Sequence, residues 1–243
     1  MTTARRCVVS GANRGLGLEF VRQLAAAGDE VVATARRPEA AAELSDIARA
    51  SGGRVTVVAL DVSDPASIAG AGAQVAERFP AVDLLINNAG IMRLPDAPDE
   101  ITAGPLDALD GEAVLSLLRV NVVGPVLVTQ ALQPLLAAAR RSVVVNLSSG
   151  MGSIGSTTAA MDYAYCTSKA GLNMMTRHLA HELEQQGTIA VSISPGWVRT
   201  DMGGPAAPLD PPESVKGILS LVDGLGPGDS GRFLDHSGEE IPW

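Results

Sequence analysis

Short β-branched runs alternate with longer Ala/Leu-rich segments along this chain, and that alternation constrains the fold more than any other feature. The runs are Cys7–Ser10, Glu30–Thr34, Arg54–Leu60, Val82–Ile86, Ser142–Leu147, Ile189–Ser194 and Gly231–Leu234. Each of the first four is nearly all apolar, as strands buried on both faces should be. Leu16–Ala27, Glu39–Ala50, Pro65–Phe79, Gly111–Ala139, Met161–Gln186 and Pro212–Leu225 read as the intervening helices. Repeated strand–helix units predict an α/β fold: one doubly wound sheet of about seven parallel strands with helices on both faces. The 243 residues fit one domain, 1–243, better than two.

Charge narrows the partners. The formal net charge is −9, so the surface repels nucleic acid and anionic membranes, and neither is an expected partner. An anionic ligand must then be held by a local cluster of arginines. Cys7 and Cys166 are too few for a disulfide framework, and the apolar run before Ser10-Gly11 is too short for a signal-peptide core. No run of about 18 consecutive apolar residues is present, so no membrane span is expected. The expected location is the cytoplasm.

The first strand runs into Ser10-Gly11-Ala12-Asn13-Arg14-Gly15-Leu16-Gly17, and a helix follows. Glycines at 11, 15 and 17 permit a tight turn and close backbone approach. The helix N-terminus adds free N–H groups and a positive dipole end, a setting for a pyrophosphate. The fold expected is therefore Rossmann-type. Two segments resist regular assignment, Arg93–Asp110 and the Gly/Pro-rich stretch of about 197–212. Both follow strand ends, where open α/β sheets bind ligands, and the second is expected to be a substrate loop.

The glycine spacing is Gly-x3-Gly-x-Gly, and other motifs follow in order. They are Asn87-Asn88-Ala89-Gly90, Asn121, Ser148-Ser149, Tyr165-Cys166-Thr167-Ser168-Lys169 and Pro195-Gly196. This ordered set resembles the short-chain dehydrogenase/reductase family over almost the whole chain. Gly171-Leu172-Asn173-Met174 and the ending Gly238-Glu239-Glu240-Ile241-Pro242-Trp243 resemble the branch containing C-factor and the sniffer-type carbonyl reductases. The resemblance implies reduction of a small-molecule aldehyde or ketone to an alcohol. The alternative is an NADP(H)-binding sensor or developmental signal on the same fold, against which the intact Ser, Tyr, Lys and Asn argue. Family members commonly pair through the helices beginning near Gly111 and Met161, so a homodimer or homotetramer is expected. An extended-type sugar epimerase is disfavoured, because too little chain follows Pro195-Gly196.

Val31 to Arg37 contains no acidic residue. NAD enzymes place a carboxylate there for the ribose hydroxyls; an arginine pairs instead with a 2′-phosphate. Arg36, with Arg14 from the glycine turn, therefore points to NADP(H), although either arginine alone would read better as solvated surface charge. By resemblance, Asn13, Gly15, Leu16 and Gly17 hold the dinucleotide with Gly11. Asp61 and Val62 would contact the adenine, and Asn88, Ala89, Gly90, Pro195, Gly196, Val198 and Thr200 would contact the rest. Asp61 is also readable as an ordinary turn residue.

Tyr165 and Lys169 are four apart on an expected helix and share a face. An ammonium near a phenol favours the phenolate, so Lys169 together with an oxidised nicotinamide is expected to lower the Tyr165 pKa. The resemblance makes Tyr165 the proton donor, Lys169 its partner and ribose ligand, and Ser149 a donor to the substrate oxygen, with Ser148 the competing choice. Asn121 would hold a water beside the lysine, or be a buried structural asparagine at a kink, or both. Sixteen positions separate Ser149 from Tyr165, more than the commonest family spacing, and the extra length is expected to bulge near Gly152–Ala160. Ile91, Met151, Trp197 and Met202 are candidate substrate contacts, with Ile154 as readily a core residue. Tyr163 has only Thr167 one turn on, and His178 with His181 lacks further ligands, so no metal is expected.

Overall fold

A computed structural model describes residues 4–93, 106 and 109–243. Most of the segment Arg93–Asp110 singled out above lies outside the described residues. One sheet of seven parallel strands runs in the order β3-β2-β1-β4-β5-β6-β7. The strands are β1 (Arg6–Val9), β2 (Glu30–Ala35), β3 (Val55–Ala59), β4 (Leu84–Asn87), β5 (Ser142–Leu147), β6 (Thr188–Ser194) and β7 (Phe233–Asp235). Strand order reverses direction between β1 and β4, which pair directly through Cys7–Leu84 to Val9–Ile86. That switch point opens a crevice at the carboxyl ends of the strands.

Successive strand residues face opposite sides of the sheet, and both sides are covered. Cys7, Val9, Val31 and Ala33 pack beneath α1 (Gly15–Ala26), α2 (Ala42–Ala50) and α7 (Pro211–Gly224). Val8, Val32 and Val144 pack against α3 (Pro65–Arg78), α5 (Gly124–Ala137) and α6 (Tyr163–Leu183). Double burial explains why the strands read as unbroken apolar runs.

Element ends moved by a few residues. Val82 precedes β4 rather than starting it and sits in the core. Asp162 is not helical: it caps α6, its carboxylate accepting from the Tyr165 amide at 2.7 Å. The helix expected over Gly111–Ala139 ends at Ala137 and divides into α4 (Gly111–Leu118), a π-helical turn (Arg119–Val123) and α5. Gly111–Ala137 has a mean hydropathy of 1.5 over 18 residues, long and apolar enough by composition to cross a bilayer. It contains no run of 18 uninterrupted apolar residues, because Arg119, Asn121 and Gln130 among others interrupt it. Val128, Leu132 and Leu136 of this helix pack against Ile68 and Val75 of α3, in the core on one side of the sheet.

Candidate active site

A cleft of about 740 Å³ lies along the carboxyl ends of the strands. Its size is in the range of small-molecule and cofactor sites. Gly11, Asn13, Arg14, Gly15 and Leu16 form one wall, with Arg36 and Asp61 at one end and Tyr165 and Lys169 at the other.

The glycine turn owes its shape to contacts that no side chain could share. Gly11 has φ +65°, and a Cβ there would lie 2.8 Å from Ala89 Cα. A Cβ on Gly17 would lie 2.2 Å from the Gly11 carbonyl oxygen. Gly17 therefore serves by letting helix α1 pack onto the turn, and it does not line the cleft. Asn88 fastens the turn from β4: its Nδ2 donates to the carbonyls of Ser10 and Gly11, both at 2.9 Å. The Ser10 hydroxyl in turn accepts from the amides of Asn88 and Ala89.

The arginines divide. Arg36 lines the cleft without a hydrogen bond or ion pair to any described residue, and its charge reaches Asp61. Arg14 is paired with Asp201 at 2.8 Å, both side chains well exposed. The two arginines expected to act alike thus differ, because the stretch after β6 brings a carboxylate to one of them. Asp61 accepts from both the amide and the hydroxyl of Ser63. Partial burial pushes its pKa up, but the two Ser63 bonds and Arg36 outweigh that and hold it below the ordinary value. Asp61 is thus a turn residue with its carboxylate on the cleft wall.

Tyr165 is 7% exposed, and the Ser149 side chain is near enough to its hydroxyl to favour the ionised form. Ser149 caps a 3₁₀ turn, Gly150–Gly152, accepting from Met151 N at 3.2 Å. Ser148 is committed elsewhere, donating to Asn173 Oδ1 at 2.6 Å. Ser148 lines the cleft, however, and Ser149 does not. Lys169 is fully buried, and its Nζ donates to the Leu147 carbonyl at 2.8 Å. Burial lowers its pKa to about 8.

The protein's own groups do not by themselves lower the Tyr165 pKa. Burial pushes it up to about 12, against a smaller lowering by Ser149. Lys169 Nζ stands 5.6 Å from the ring centroid and points at Leu147, so it does not offset desolvation of the phenolate.

Asn121 sits in the π-helical turn, 1% exposed. Its Oδ1 accepts from Ile91 N at 2.8 Å, while its Nδ2 donates to Ile91 O and Ser168 Oγ. Its side chain is a fully engaged brace between β4's exit and α6. Hydrogen bonds inserted beside a widened turn are a common cause of such bulges.

The remaining candidates fall into three groups. Val62, Asn88, Ala89, Gly90, Pro195 and Thr200 line the cleft, as do Ile91 and Met202. Met151 packs with Ile91 and Leu117 around Tyr165. Gly196, Val198 and Trp197 do not line it: Gly196 packs against Leu209 and His236, and Val198 is buried in a bridge with Leu209. Trp197 is largely exposed, its indole N–H donating to Gly203 O. Ile154 is 76% exposed, which rules out the core alternative. It belongs to a run, 154–161, with every residue exposed, as the long Ser149–Tyr165 spacing leads one to expect. Arg119, Ser116 and Asp201 also line the cleft and were missed; only the proximity of Arg119 to Asn121 in sequence signals it.

The family model for short chain dehydrogenases matches residues 5–208, and the chain belongs to that family. It is 43% identical to C-signal of Myxococcus xanthus over 162 residues, 67% of this chain and 93% of that protein. The NADPH-bound carbonyl reductase from chicken fatty liver superimposes with a TM-score of 0.90 at 34% identity, covering all of both chains. The carbonyl reductase Sniffer of D. melanogaster gives 0.90 at 32% identity, covering 99% of this chain and all of that one. The chain is an oxidoreductase of this family.

Proposed function

We propose that this protein is an NADP(H)-dependent carbonyl reductase acting on a small aldehyde or ketone, as one domain spanning 1–243. The observation that carries the proposal is the pair Tyr165 and buried Lys169, with Ser149 near the Tyr165 hydroxyl, lining one end of a cleft whose other end presents Arg36. The cleft fits a dinucleotide. It has the volume, a glycine turn at a helix N-terminus for the pyrophosphate, and a free guanidinium with no acidic residue from Val31 to Arg37. Arg36 would pair with the 2′-phosphate, Asp61 would accept from the adenine amine, and Lys169 would hold the nicotinamide ribose. NADPH-bound and NADP-bound neighbours support this cofactor.

When bound, the reduced nicotinamide supplies hydride to the carbonyl carbon. Ser149 and Tyr165 donate to the substrate oxygen, where negative charge develops, and preorganised donors lower that barrier. Tyr165 then transfers its proton to the oxygen. Tyr165, like any phenol, is protonated at neutral pH and so has a proton to give. Ile91, Met92, Val114 and Met151 pack around Leu117, Ala164 and Tyr165, an apolar setting suited to a hydrophobic carbonyl.

Steady NADPH consumption with an aldehyde and diketone panel, abolished in Tyr165→Phe, is the expected result. The 43% identity to C-signal favours a second reading, a cofactor-binding signal protein. Tight NADPH binding without turnover on any carbonyl would decide for it.

A further inference from the structure

We propose that the carboxyl-terminal segment Ile241–Trp243 is a positioning element of the reaction: anchored on β7, it holds Ser153 and so sets Ser149 against Tyr165. The proposal rests on the reductase reading above.

The stretch between Ser149 and Tyr165 has little core of its own, since all residues from 154 to 161 are exposed. Its inner end is held by Asn173, whose Nδ2 donates to Gly152 O at 3.2 Å while its Oδ1 accepts from Ser148. Its outer part is held from the far end of the chain. Gly155 N donates to Trp243 O at 2.6 Å, and the Ser153 hydroxyl donates to Pro242 O at 2.5 Å. Ser153 is 1% exposed, accepts from Ser156 N at 3.1 Å, and offers its carbonyl to the Thr157 hydroxyl. It is the node through which the segment grips the loop.

The segment is itself well fixed. The Trp243 ring stacks on Phe233 of β7 at 5.5 Å, and the Arg177 guanidinium of α6 lies 5.7 Å from it. Arg177 also donates to Gly231 O, and Ile241 N donates to Phe233 O at 2.9 Å. Aromatic stacking and a cation over an indole give such a contact geometry as well as energy.

From Ser153 the path to the reacting groups is one turn long. Ser153 N donates to Gly150 O at 3.0 Å, and Gly152 N to Ser149 O at 2.8 Å. Loosening Ser153 frees that turn, and with it the Ser149 side chain near the Tyr165 hydroxyl. Donors must meet a developing oxyanion within a few tenths of an ångström to be effective.

The test compares Trp243→Ala, Trp243→Phe and Ser153→Ala with the parent chain. Trp243→Ala and Ser153→Ala should each lower kcat for a carbonyl by about tenfold, a fraction of what a 1 Å misplacement can cost. The NADPH dissociation constant, read by fluorescence titration, should stay within about twofold, because the glycine turn and Arg36 lie at the other end of the cleft. Trp243→Phe keeps a ring between Phe233 and Arg177 and should restore kcat. Amide hydrogen exchange over residues 150–162 should rise in Trp243→Ala and Ser153→Ala without rising in β1–β4. Parent-like kcat in both variants, or unchanged exchange over 150–162, overturns the proposal. A parent chain that binds NADPH but reduces no carbonyl overturns the reductase reading instead, and the exchange measurement still reports whether the tether exists.

Discussion

The two ends of the cleft are built by opposite means. At the phosphate end the protein offers backbone and exposed charge: a glycine turn pinned by Asn88, and Arg36 facing the cleft without an ion pair to a described residue. At the catalytic end it offers buried polar groups whose ionisation the interior has shifted. Lys169 is pressed down to about 8 and Tyr165 up to about 12. The first arrangement costs little to fold and recognises a ligand by fixed charge. The second costs stability, and its chemistry depends on that cost.

The largest effect should come from the buried end. Tyr165→Phe removes the proton donor while keeping the ring, and should reduce kcat by about 10³–10⁴-fold with NADPH affinity retained. A smaller loss in steady-state assays would mean that another group protonates the oxygen.

Next is the stability that burial of Lys169 takes away. Its pKa near 8 in the folded chain, against 10.5 for a free lysine, means that the folded state resists charging what the unfolded chain charges freely. The penalty is full below about pH 8, shrinks as pH rises towards 10.5 and is absent above it. Lys169→Met should therefore unfold at higher denaturant at pH 7, by up to about 3 kcal/mol, less what the bond to Leu147 contributes. The advantage should disappear near pH 10.5. A variant less stable than the parent at pH 7 would break the contrast between the two ends.

Arg36→Asp probes the exposed end. Replacing a phosphate-pairing cation with a ribose-binding carboxylate should shift the NADPH/NADH ratio of kcat/KM by about 10²-fold towards NADH, with no change in unfolding midpoint beyond about 0.5 kcal/mol. Unchanged selectivity would assign the phosphate to other residues.

The smallest effect sharpens the same point. Asp201 pairs with Arg14 in an exposed setting, so Asp201→Asn should alter stability by no more than about 0.5 kcal/mol. It should also lower the Kd for NADPH by about twofold at low salt, with the gain fading as salt rises, since Arg14 is freed for an anion. Isothermal titration at two ionic strengths reads this directly.

Legibility in the sequence followed the same division. The glycine turn, the absence of acid after β2 and the i, i+4 spacing of Tyr165 and Lys169 are local facts about backbone and neighbours. They could be read before any fold was known. The direction of the Tyr165 shift could not, because it turns on how much water the packed helices exclude and on Lys169 facing Leu147. Nor could the engagement of Asn121 with Ile91 and Ser168, thirty and forty-seven positions away.

By itself the sequence determined the strand–helix alternation, the parallel sheet and the residue types at the cleft, since each depends on side-chain pattern along a few consecutive positions. Only the tertiary structure decided that Ser148 serves Asn173 while Ser149 meets Tyr165, that Asp201 reaches Arg14, and that Trp243 returns to Gly155. Those pairings join residues far apart in the chain, and a distance between such residues exists only once the sheet has brought their elements together.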